Sequence, residues 1–308
     1  MLRLALELKT LVIMLKHHYS SPILPARVVI VGAGGFVGKA LANRLEKLGV
    51  PLVGITRQNI DLLSDDAYAK LALILRESDT LVIVAAKAPA KTNSMLIDNL
   101  RMVQEVCKAL DRSPVNHVVY ISSDAVYADS NGPLTELSCA QPASLHGVMH
   151  LAREVMLANS WKGPICMLRP TLIYGADDPH NGYGPNRFLR LAATGSNITL
   201  FGAGEERRDH VWVEDVAEVL SRVVLHGSTG ILNIATGVVY SFREIAEIVL
   251  QLFGNLSQIK DSPRAGPLPH NGFRPFNIAA THQAFGDFRY TPLVDGLSKT
   301  AAALSQND

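Results

Sequence analysis

The sequence predicts an α/β protein: a doubly wound parallel sheet with helices on both faces and a smaller C-terminal α/β lobe. Three observations predict it. From residue 27 onward, short apolar, β-branched runs alternate with segments of helical period. The first of these runs ends in glycines that open a helix. After Tyr174 the alternation loosens, and Pro, Gly, Asn and Asp crowd residues 175–186 and again 261–277.

Taken in order, RVVIV at 27–31 is a buried parallel strand, and 38–48 reads as a helix with Leu41, Leu45 and Leu48 on one face. Strands follow at 51–56 (PLVGIT), 80–85 (TLVIVA), 117–122 (HVVYIS) and 165–169 (ICMLR). Beyond them, GILNIAT at 230–236 returns to the main sheet, and 241–253 is a helix. The large domain is therefore expected over 27–176 plus about 211–240, and the smaller lobe over about 177–210 plus 241–308. Residues 1–26 form an N-terminal extension outside this scheme. Its apolar stretch is interrupted by Glu7 and Lys9, and its uncharged run at 10–15 is too short to span a bilayer. No small-residue cleavage site follows. It reads as an appended amphipathic helix, or as upstream sequence if translation starts at Met14.

Composition narrows the function classes. With 19% charged and 48% hydrophobic residues, the chain fits a well-buried cytoplasmic enzyme. A net charge of +1 argues against nucleic acid or an anionic membrane as partner. Cys107, Cys139 and Cys166 are odd in number and lack C-x-x-C spacing, so neither a disulfide framework nor a zinc ribbon is expected.

The turn VGAGGFVG places Gly32, Gly35 and Gly38 between the first strand and its helix, with Phe36 and Val37 inside the pattern. The first glycine allows the tight turn, the second lets backbone approach a pyrophosphate, and the third packs helix on strand. The helix N-terminus then offers free N–H groups to the phosphates. This is the dinucleotide-binding turn of a Rossmann sheet. At the end of the second strand, where an acidic residue would favour NAD, stand Thr56 and Arg57. A guanidinium pairs with a 2′-phosphate, so NADP is preferred and NAD is the alternative. Asp61 and Leu62 follow in a context suited to adenine. The plainer readings are a solvated Arg57 and an Asp61 that serves only its turn.

The chain resembles the extended short-chain dehydrogenase/reductases, the NAD-dependent epimerase/dehydratase family that acts mostly on sugar nucleotides. The resemblance rests on VGAGGFVG, YISSDAVY (120–127), LRPTLIYG (168–175), FGAGEERRDHVWVEDVA (201–217), GILNIATG and SPRAGP (262–267), all in the family's order. It implies cofactor contacts from Ala85 and Ala86 after the third strand and from Pro170 in the loop over the nicotinamide. It also implies a homodimer formed by helices at roughly 93–112 and 145–160. Met95, Leu96, Leu100, Val103, Leu151, Val155 and Met156 would supply its apolar surface.

The family's active site is a Ser/Thr with a Tyr-x-x-x-Lys pair. In ELSCAQPASLHGVMHLARE (136–154), Pro142, Ser144, Gly147 and Glu154 keep their places, while His146 stands for the tyrosine and His150 for the lysine. Three readings compete. The imidazoles are catalytic, since an i, i+4 pair faces one way and titrates near neutrality. Alternatively the protein binds dinucleotide without the family's chemistry. In the third, His146, His150 and Glu154 form a metal face, although no resident metal is expected. Ser123 takes the Ser/Thr position and Asp124 the acid position of the 4,6-dehydratases, but Ala125 replaces their glutamate base. Leu172 stands where an asparagine often contacts substrate, whereas Arg208 and Arg264 match the arginines that clasp a diphosphate. The function expected is NAD(P)-dependent epimerisation or reduction of a nucleotide-linked sugar. Its alternative is a catalytically silent NAD(P)-binding protein acting as a sensor or subunit.

Overall fold

A computed structural model describes residues 15–305, so most of the helix expected in the N-terminal extension lies outside the described residues. Residues 15–26 hold no helix. Lys16 instead bridges to Thr229, and Leu15 packs against the core.

From Arg27 the chain runs β1 (Arg27–Val31), α1 (Phe36–Lys47), β2 (Leu52–Ile55), α2 (Ala67–Ile74), β3 (Asp79–Ile83), α3 (Asn93–Arg112) and β4 (His117–Ile121). A short 3-10 turn (Asp124–Val126) precedes α4 (Leu145–Ser160), β5 (Ile165–Pro170) and β6 (Leu172–Tyr174). Next come α5 (Pro185–Ala193), β7 (Ile198–Phe201), β8 (Arg207–Trp212), α6 (Val213–Leu225) and β9 (Gly230–Ile234). The chain closes with β10 (Val239–Ser241), α7 (Phe242–Leu252), β11 (Ile259–Ser262), β12 (Phe273–Arg274), α8 (Ala279–Ala284) and α9 (Leu293–Leu304).

The main sheet is parallel and six-stranded, in the order β2-β1-β3-β4-β5-β9. Its central strands are apolar on both faces, as a sheet covered twice requires. One face packs on α1 and α6, with Val28, Ile30, Leu41, Leu45, Val216 and Leu220 fully buried. The other packs on α2, α3 and α4 through Val29, Leu81, Val103, Val106, Leu110 and Leu157. Leu48, expected on the buried face of the first helix, is instead its half-open C-cap at 39% exposure. Because the chain leaves β1 for β2 and returns across it to β3, a crevice opens at the carboxyl ends of these strands, the usual ligand position in such sheets.

A second apolar cluster joins α5, α7 and α9 around Phe188, Leu189, Phe242, Ile245 and Leu297. Its framework is β10-β8-β12, with β6 also pairing β8. The C-terminal segment is shared between the lobes, because Phe285 and Phe288 bury in the main-sheet core next to α6. The capping chemistry is local. Thr92 accepts from Met95 N at the start of α3, Ser144 accepts from Gly147 N at α4, and Ser241 with Glu244 forms a capping box on α7.

Candidate functional site at the carboxyl edge of the sheet

The crevice is a cleft of about 980 Å³. It begins at the glycine turn. Gly32 has φ +99°, and a Cβ there would lie 2.6 Å from Ala85 N, while one on Gly38 would lie 2.2 Å from Gly32 O. Both positions therefore exclude a side chain. Gly35 caps α1 with no side-chain bond, and the first turn carries no acidic residue. The free N–H groups of that turn open toward the cleft beside Phe36 and Val37, a cradle suited to a diphosphate. Thr56, Arg57, Asp61, Leu62, Ala85, Ala86 and Pro170 also line it, whereas Gly38 lies behind it as a packing residue. Arg57 is 77% exposed and its Nε donates to Asp61 Oδ2 at 3.2 Å, so any 2′-phosphate competes with that carboxylate. The residues fit a nicotinamide dinucleotide.

Ser123, Asp124, His146 and His150 line the cleft's inner end. The Ser123 hydroxyl accepts from Ala125 N at 3.1 Å and lies 3.4 Å from Asp124 Oδ1. His146 sits on the first turn of α4, half-buried, with Nδ1 3.5 Å from Ala90 N. At that length the contact does not fix the ring's tautomer. Burial lowers the pKa of His146, against an opposing pull from Asp124. One turn on, His150 is buried, its ring edge-on to His146 at 4.7 Å. Burial, then His146 and Arg153, hold it well below the usual imidazole value.

One of the three competing readings falls, and two expectations need correction. Glu154 cannot join a metal face, because Arg169 Nε and Nη2 grip both its oxygens at 2.9 and 2.6 Å inside the core. Among the described residues no group of three or more His, Cys, Asp or Glu is arranged to hold a metal ion. Asp124 is not a free acid. Its Oδ2 accepts from Arg274 Nε at 3.0 Å and lies 3.8 Å from Arg208 Nη2, so it is a clamp between the lobes. The two expected clasp arginines are not equivalent either. Arg208 lines the cleft, whereas Arg264 is turned to Phe201 O and Glu205 and does not. Leu172 lines the cleft.

Other lining residues escape sequence reasoning. The crowded loop at 175–186, legible only as turn chemistry, supplies Asp178, His180, Tyr183 and Asn186. Asn186 bridges Gly175 N (2.9 Å) and Asp178 Oδ2 (2.8 Å), which sets the loop's shape. His210 on β8 is buried with no partner for Nε2 among the described residues, and burial lowers its pKa to about 3. His117, remote from the cleft, is likewise held to about 4 and donates Nε2–H to Ser228 O.

A stability prediction follows from these two neutral imidazoles. Each is unprotonated in the fold below the unfolded value near 6.5, so the unfolded chain binds more protons and stability falls with falling pH. Between pH 6.5 and 5.5 each should cost about 1 kcal/mol. Urea midpoints that stay level across that interval would refute the neutral assignment.

A glycine cradle at a sheet crevice, with titratable groups at its inner end, defines a dinucleotide-binding α/β protein. The comparisons agree. The chain belongs to the NAD dependent epimerase/dehydratase family, whose sequence model matches residues 28–235. It is 27% identical to the UDP-glucose 4-epimerase of Mycolicibacterium smegmatis, over 89% of this chain and 97% of that protein. Among solved structures, epimerase Mth375 of Methanothermobacter thermautotrophicus superposes with a TM-score of 0.82 at 20% identity, covering 92% of this chain and 93% of that one. RMD from Pseudomonas aeruginosa, complexed with NADPH, gives 0.80 at 20% identity, covering 92% and 100%.

Proposed function

We propose that the protein is an NAD(P)-dependent epimerase or reductase of a nucleotide-linked sugar, with His146 as its proton shuttle. One observation carries the reading most: His146 lines the same cleft as the glycine cradle and Ser123, and among the described residues its one ring hydrogen bond is the 3.5 Å contact at Nδ1. The curated relative is a UDP-glucose 4-epimerase, which supports the substrate class. When bound, the nicotinamide supplies the hydride acceptor or donor. The chain's own residues do the rest: Ser123 hydrogen-bonds the reacting oxygen, His146 exchanges its proton, and Arg208 faces the diphosphate. Residues 27–176 and 211–240 hold the cofactor, and 177–210 with the part of 241–308 that does not pack into the main-sheet core cover the sugar. Asp178, His180 and Tyr183 are the substrate contacts we add from the lining of the cleft.

A panel of sugar nucleotides, followed by nicotinamide absorbance and product NMR, tests this reading. Turnover of any member supports it. Cofactor bound with no turnover across the panel makes the protein a silent binder.

We place NADP before NAD. Arg57→Ala should weaken NADP by about 1–3 kcal/mol and spare NAD, the range for a bond to a charged group. Equal losses for both cofactors in titration calorimetry would reverse the order. The proposal includes a cytoplasmic homodimer. Val103 is fully buried beneath the sheet and drops out of the expected interface, while Val155 (53% exposed) on α4 and Ile97 (57%) on α3 stand open. Light scattering at micromolar concentration should give twice the chain mass. A monomer would remove the interface.

A further inference from the structure

Beneath His150 lies an arrangement that the reaction outlined above does not use. Tyr120, on β4, is fully buried, and its hydroxyl is 2.9 Å from His150 Nδ1. The phenol has no other hydrogen-bond partner among the described residues. Its proton is therefore satisfied only if Tyr120 donates and Nδ1 accepts; the reverse orientation strands a buried O–H. Arg153 packs on the tyrosine ring, its guanidinium 5.1 Å from the ring centroid and its Nη2 donating to Ala85 O at 2.7 Å. His150 lines the cleft, and among the described residues the one hydrogen bond of its ring is the Tyr120 contact at Nδ1.

We propose that Tyr120 is a positioning residue that locks His150 as a neutral imidazole with its proton on Nε2, making it an uncharged hydrogen-bond donor to an oxygen of the bound dinucleotide. This deepens the proposed function and rests on it. The resemblance puts a lysine, both donor and cation, at this position. Here the donor is kept and the cation is not. The neighbouring position agrees: a tyrosine at 146 would need a nearby cation to ionise near neutrality, but an imidazole does not. The two histidines are thus divided by their backing. His150 is fixed by a bond of 2.9 Å, whereas the 3.5 Å contact of His146 leaves it free to exchange protons at either nitrogen.

The experiment is nitrogen NMR of histidine-labelled full-length chain, paired with NAD(P) affinity. In the native protein, His150 should show an unprotonated Nδ1 and a protonated Nε2, with no titration between pH 5.5 and 8 (range chosen around the ordinary value near 6.5). In Tyr120→Phe its two nitrogen signals should move toward each other as tautomers mix, and cofactor should bind about 3- to 10-fold more weakly. His150→Gln, which keeps a neutral donor, should bind cofactor more tightly than His150→Leu, and this comparison holds even if Tyr120→Phe fails to fold. A native His150 protonated on Nδ1, or equal binding by the Gln and Leu variants, overturns the lock while cofactor still binds. Native chain that binds no dinucleotide overturns the proposed function itself, and the donor role with it.

Discussion

His146→Ala is expected to slow turnover by about 10²–10⁴, the usual contribution of a positioned general acid–base group. The side chain lines the cleft with Ser123, and its one hydrogen bond among the described residues is the 3.5 Å contact with Ala90 N. Asp124 is held by Arg274, and His150 by Tyr120. The pH profile gives a second handle. Burial lowers the pKa of His146, so the acid limb of kcat/KM should fall below the ordinary imidazole value of about 6.5 and be flat above it. His146→Tyr should not restore full rate, because the new phenol would keep a pKa near 10 with no lysine beside it. An alanine variant with undiminished turnover would take the proton shuttle out of the mechanism.

Glu154→Ala should cost about 3–5 kcal/mol of stability, the range for breaking a buried ion pair. The loss comes less from the missing attraction than from the guanidinium left behind. Arg169 has 5% of its side chain exposed and keeps only the Tyr127 hydroxyl at 2.9 Å, which itself donates to Asn233. An exposed pair gives the control. Arg57–Asp61 has 77% and 42% of its side chains open to water, and Asp61→Ala should change stability by less than about 1 kcal/mol. Urea denaturation of both variants measures the contrast. Similar losses would mean that burial does not set the value of these pairs.

Much of the main sheet was legible because its signal is local. Arg27–Val31, His117–Ile121 and Ile165–Pro170 lie within a residue or so of the apolar runs that predict them, since strands covered on both faces must be apolar throughout. The glycine turn was legible for a related reason: positive φ at Gly32 and the close approach at Gly38 admit no other residue. The inner site was legible only as a list of positions. That Glu154 belongs to Arg169, and Asp124 to Arg274, depends on contacts 15 and 150 residues apart in the chain, which no local pattern carries. The same holds for Tyr120, which reads as one more strand residue until α4 lays His150 against it. The smaller lobe was hardest, because the loop at 175–186 speaks only the language of turns while its side chains face the cleft.

The clamp through Arg274 has a mechanical side. This residue, 2% exposed, ties Asp124, which lines the cleft, and the carbonyls of Asp124 and Tyr127 to β12, which is paired to β8, the strand that carries the lining residues Arg208 and His210. The two segments are thereby joined by a buried, multiply bonded guanidinium at one end of the cleft. A ligand entering such a vice finds its seat already shaped, so little ordering entropy is left to lose at the reacting end. Under the proposed function, discrimination between sugars then falls to the fit of that seat and of the side chains that the loop at 175–186 adds to it.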